Sequence, residues 1–190
     1  MTDLILIRHG RTDWNQQKRY QGQIDISLNE EGVKQAHVTA EQLRDIPLEA
    51  VYASDLQRAH HTARILSKPR NLTPVPDPRL REINHGEWEG LLYEEIRARY
   101  PVEFARFHED PANASAPGGE SILSLHQRVC SSFQDIISRH PDGQVAVVSH
   151  GLALATILAK HHDGNLKRVF TWIPDNAQPV YLKLEKCLHG

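Results

Sequence analysis

At 190 residues the chain is long enough for a substantial core, and it reads as a single domain over 1–190. Charged residues make up 24% and the formal net charge is -2, with Lys and Arg dispersed, so neither nucleic acid nor a membrane is an expected partner. The two cysteines, Cys130 and Cys187, offer neither metal-ligand spacing nor a disulfide framework, which points to a reducing, cytoplasmic setting.

The first element is an apolar run, Leu4 to Ile7, within a strand predicted over 3–8. A continuous run suits a strand buried on both faces, as in a parallel sheet. It is too short for a bilayer and lacks the basic lead-in of a signal peptide. It ends in Arg8, His9 and Gly10. Open α/β sheets carry their ligand sites at the carboxyl ends of strands. These residues are therefore either a surface edge or the floor of a pocket.

A helix follows over about 30–44, with Val33, Ala36, Ala40 and Leu43 on one face. Either Ser27 with Glu30, or Asn29 alone, is placed to cap it. A strand at 49–53 leads into a helix over 55–67, where Ser54 and Gln57 have capping-box spacing. Arg58 falls in the first turn of that helix. Free N–H groups there favour an anion, so a cation is misplaced unless it has an anionic partner. A ligand anion is the sharper explanation and Asp55 the plainer one. A weak strand at 73–76 comes next.

Residues 84–119 break the rhythm. They hold Trp88, Tyr93, Tyr100, Phe104 and Phe107, then a DPANASAPGG stretch. Two short helices split near Pro101, followed by a loop, are expected to form a lid, although the aromatics could simply pack on the core. A long helix over 120–139 and a strand over 144–149 come next. That strand ends, like the first, in a histidine and a glycine, His150 and Gly151, before an apolar helix. Adjacent strands would bring His9 and His150 together. A strand at 180–185 is the last predicted element. Alternating strands and helices predict a three-layer α/β sandwich with a mostly parallel sheet. Twelve histidines invite a metal site, but the pairs His60-His61 and His161-His162 lack helical ligand spacing, so none is expected.

The stretches RHGRTDWN, SDLQRAHHTA, LREINHGEWEG and VSHG, in this order, resemble the histidine phosphatase (phosphoglycerate mutase-like) superfamily. With PGGES at 117–121 they are most similar to its alpha-ribazole phosphatase and broad-specificity phosphatase branch. The resemblance covers nearly the whole chain. It implies a phosphomonoester hydrolase acting on a small phosphorylated metabolite, for example alpha-ribazole phosphate, with no metal or other cofactor. His9 matches the nucleophile that becomes phosphohistidine, and Glu82 the proton donor. Arg8, Arg58 and His150 match the phosphate pocket. Asn15 matches a further phosphate contact, Gln21 and Gly22 a substrate loop, and Gly151 the glycine after the second histidine.

The same resemblance leaves two alternatives. A mutase would be expected to show a longer chain, tandem arginines and a lysine soon after the acid. No Lys or Arg stands between Glu82 and Arg97, and Arg97 and Arg99 are not adjacent. The chain is also expected to stop soon after its last strand. A non-catalytic phospho-ligand module would be expected to have lost the nucleophile or the acid. Two positions depart from the common pattern: Arg11 replaces a frequent Glu or Gln, and His85 an aromatic. Both are expected near the pocket mouth.

Overall fold

A computed structural model describes residues 1–184. The strands are β1 (Thr2–Arg8), β2 (Ala50–Ala53), β3 (Val75–Pro76), β4 (Gln144–Ser149) and β5 (Pro179–Leu184). They form one sheet in the order β3-β2-β4-β1-β5. Strands β1 to β4 run parallel where they pair, and β5 lies antiparallel on β1. The helices are α1 (Asp13–Gln16), α2 (Glu30–Gln42), α3 (Gln57–Ser67), α4 (Tyr93–Arg99), α5 (Pro101–Glu109), α6 (Ile122–Arg139) and α7 (Gly151–Asp163).

The unbroken apolar runs are explained by the two faces of the sheet. Leu4, Leu6, Val145 and Val147 pack with α6, α7 and the aromatic insertion. Ile5, Ile7, Ala146 and Val148 pack with Ala40 and Leu43 and with Ala59, Ala63 and Leu66. A strand buried on both faces has no polar face to alternate with. The register sets Arg8 beside Ser149, so β1 and β4 end together.

The element ends settle one alternative that the sequence left open and differ from the sequence reading elsewhere. Asn29 caps α2 through its side chain, which accepts from Gly32 N. Ser54 does not cap α3; Leu56 holds that position without a side-chain bond, and Ser54 Oγ faces His150 instead. The short α1, capped by Thr12, has too few residues for a periodic signal. The expected strand over 180–185 is seen up to Leu184, and residue 185 lies outside the described residues. Cys130, buried in α6, is disulfide-bonded rather than free, against the reading of the cysteines; Cys187 lies outside the described residues. No helix among the described residues is long and apolar enough to cross a membrane.

Candidate active site

The carboxyl ends of β1 and β4 deliver His9 and His150 side by side, their ring centroids 5.1 Å apart. The loop leaving β1 lies against the first turn of α2. A Cβ at Gly10 would fall 2.3 Å from Gly32 O, so only glycine fits this crossing. Gly10 N also donates to Thr62 Oγ1 at 3.1 Å, which ties the loop to α3.

His9 is 2% exposed, and its Nδ1 lies 2.7 Å from Gly10 O. A carbonyl can only accept, so Nδ1 carries the proton and Nε2 keeps its lone pair. Burial, then the charges of Arg58 and Arg8, hold the His9 imidazole well below the usual histidine range. It is therefore neutral.

Arg58 is fully buried in the first turn of α3. Its Nε donates to His150 Nδ1 at 3.2 Å, Nη1 to Ile24 O at 2.8 Å and Nη2 to Gly22 O at 2.7 Å. Burial lowers its own pKa to about 10, which leaves it charged at neutral pH. A guanidinium has five N–H groups, and these contacts use three. Asp55, the plainer partner, is taken by Arg81, whose Nε donates to it at 2.7 Å. Arg8 donates from Nη1 to Pro174 O at 3.0 Å, while its buried Nε has no partner. Two guanidinium groups with unspent donors thus converge on the histidine pair.

His150 accepts from Arg58 at Nδ1, so its proton lies on Nε2, 2.8 Å from Ser54 Oγ. Both ring nitrogens are engaged within the protein. Burial and the Arg58 charge keep this imidazole neutral as well.

Glu82 is not a surface carboxylate among Arg79, Arg81 and Glu87. Arg79 pairs with Asp77 and Asp135, and Glu87 accepts from Tyr100. The Glu82 carboxylate instead meets the N-terminus of α7. Oε2 accepts from Leu152 N at 3.1 Å, and Oε1 from Ala153 N at 3.1 Å and Ile83 N at 2.9 Å. Helix N-termini present free N–H groups and a favourable dipole to an anion. Arg128 of α6 fixes the segment from behind, donating to the carbonyls of Arg79, Arg81 and Glu82.

A cavity of about 310 Å³ opens over these groups. Its wall includes Arg8, His9, Asn15, Gln21, Gly22, Arg58 and Glu82. His150 and Gly151 stand behind the wall rather than on it. Thr12 Oγ1 lies 3.1 Å from both Asn15 Oδ1 and Gln21 Oε1 and can give its one proton to either, while Thr12 N also donates to Asn15 Oδ1 at 3.1 Å. Gly22 has φ +51°, and a Cβ there would strike the Glu89 carboxylate, so glycine is required.

Residues of the 84–119 insertion line the cavity and pack into the core. Trp88 is fully buried, and Phe107 and His108 of α5 line the cavity. His85 lines it too, buried between Tyr20 and Phe107 with Nδ1 unpartnered, and burial pushes its pKa down to about 3. Arg11 departs from expectation, because its exposed side chain is not part of the cavity wall. Among the described residues no group of three His, Cys, Asp or Glu is placed to hold a metal ion.

Sequence reasoning missed Thr12, Ser54 as a partner of His150, Thr62 and Arg128. Thr12 sat inside a quoted motif. Arg128 left no signal, since it contacts only carbonyls and Glu120.

A mostly parallel sheet thus aims a neutral imidazole and two arginines into one cavity, the arrangement of an α/β protein with a candidate anion site. A family model of the histidine phosphatase superfamily (branch 1) matches residues 4–187, and the chain belongs to that superfamily. It is 35% identical to "Phosphoserine phosphatase 1" of Hydrogenobacter thermophilus over 98% of this chain and 88% of the relative. It is 36% identical to "Phosphoglycerate mutase-like protein 4" of Arabidopsis thaliana over 98% of this chain and 76% of the relative. Among solved structures, the alpha-ribazole phosphatase from Shigella flexneri superposes with a TM-score of 0.86 at 25% identity, covering 99% of this chain and 96% of that one.

Proposed function

We propose that the protein hydrolyses small phosphomonoesters through a phosphohistidine on His9. The observation that carries this is the unprotonated Nε2 of a buried, neutral His9 beside two arginines with unspent donors. Nε2 attacks phosphorus in line while the bond to the leaving oxygen breaks. Nδ1–H stays on Gly10 O, so the ring's orientation persists through the step. Arg8 and Arg58 neutralise the equatorial oxygens, and Asn15, Gln21 and the Gly22 loop border the phosphate. Glu82 gives a proton to the leaving oxygen, then takes one from the water that attacks phosphohistidine. His150 works through Arg58, whose guanidinium it fixes by accepting from Nε. Gly151 opens the helix whose N–H groups hold Glu82.

The natural substrate lies among small phosphate esters, such as the phosphoserine and ribazole phosphate named for its relatives. A second reading, phosphoglycerate mutation, is favoured by the mutase-like relative.

The deciding test is hydrolysis of p-nitrophenyl phosphate with excess EDTA, wild type beside His9→Ala. Turnover by the wild type alone, with acid-labile phosphate trapped on His9, is the expected result. Activity surviving in His9→Ala overturns the nucleophile. Interconversion of phosphoglycerates that needs a bisphosphate primer, without net phosphate release, favours the mutase.

A further inference from the structure

We infer that Lys18 selects substrates whose leaving group carries a carboxylate, a reading that rests on the phosphatase function proposed above. The chain leaves α1 through a left-handed turn. Lys18 N donates to Asn15 O at 3.2 Å and Arg19 N to Trp14 O at 2.9 Å, which closes the helix end. The residue in the turn is Lys18 itself, with φ 56°. Glycine is the usual occupant of this position, because a Cβ strains a left-handed backbone. A cation near a helix C-terminus is favourable. Here the helix has a single turn, and position 17 offers the same site on an ordinary right-handed backbone. Helix chemistry alone does not account for a lysine in the strained position. Strain of this kind collects where function holds it.

The second observation is where Lys18 stands. It lines the cavity with Trp14, Tyr20 and His108, at the opening rather than the floor. Its ammonium has no hydrogen bond or ion pair among the described residues. The neighbouring cation, Arg19, is committed: it donates to Gly90 O and to Gln17 Oε1, and lies 5.6 Å over the Trp14 ring. The floor arginines, both under the influence of Glu82, are given to the phosphoryl group. Among the described residues that line the cavity, Lys18 is thus the cation left for the leaving group. One exposed ammonium matches one carboxylate, and a cavity of about 310 Å³ keeps that acid small.

The experiment compares 2-phosphoglycolate with its neutral counterpart, 2-hydroxyethyl phosphate, in wild type, Lys18→Gly and Lys18→Arg. Glycine relieves the backbone, so Lys18→Gly is expected to melt no lower than wild type. It is expected to lose about two- to fivefold in kcat/KM on phosphoglycolate, mainly through KM, and to change little on the neutral ester, about the effect of one exposed ion pair. Lys18→Arg is expected to keep the preference, and added salt to reduce it in wild type and Lys18→Arg but not in Lys18→Gly. Equal losses on both esters, or none on phosphoglycolate, overturn the proposal while the phosphatase reading stands. A wild type that hydrolyses neither ester nor p-nitrophenyl phosphate overturns both.

Discussion

Each functional side chain is held by a partner that fixes one protonation state or one direction. Gly10 O sets the His9 tautomer, and the carbonyls of Gly22 and Ile24 with His150 set Arg58. Arg58→Lys keeps the charge but loses the fork, so kcat is expected to fall about a hundredfold in a steady-state assay. The roles assigned to Glu82 separate by leaving group. p-Nitrophenolate leaves without a proton, whereas the attacking water still needs a base. Glu82→Gln is therefore expected to release about one equivalent of p-nitrophenol in a burst, then turn over slowly, as stopped-flow absorbance would show. A Gln variant with no burst and no turnover would place Glu82 in the first step on this ester as well. At this scale the sequence pointed to residues that gather at one cavity but not to their contacts. His150 reads as a phosphate ligand in the motif, yet its nitrogens face Arg58 and Ser54. One-dimensional spacing carries no record of ring orientation.

Elements decide where these residues arrive. Strands with continuous apolar runs and helices with a clear stripe were legible, because burial on one or both faces writes a period into the chain. The α1 turn and the 3-10 turn at Val169–Trp172 were not, since they are too short to carry one, and the two-residue β3 was legible only as a weak strand. Asn29 settles an ambiguity that the sequence left open, and Asn29→Ala is expected to cost about 1 kcal/mol in urea unfolding. The Glu82 segment has no regular structure of its own and depends on α6 and α7. Arg128→Leu removes the donors to three carbonyls and leaves Glu120 without its cation. It is expected to lower kcat about tenfold while His9 still accepts phosphate, measured as phosphoenzyme formed in a single turnover.

Across the whole molecule, among the buried histidines of the described residues, burial holds His9, His85 and His150 below the usual histidine range. Each has a folded pKa below its unfolded value, so the unfolded chain binds more protons beneath about pH 6.5. Stability is then complete above that pH and falls as acid is added toward the lowered values. Each of these histidines contributes a loss of up to about 1.4 kcal/mol per pH unit. Melting temperatures between pH 7.5 and 4.5, without phosphate, should drop steeply below pH 6. A flat profile would mean that these rings are solvated. The position of β1 between β4 and β5 has another consequence. Its amide protons are shielded on both edges, so they should exchange only through global opening, and His9 keeps its place until the fold is lost. Glu82 sits on a segment stapled from outside the sheet, which can open locally at far lower cost. In rising urea, catalysis should therefore fail before circular dichroism changes, with the acid displaced while the nucleophile is still in register.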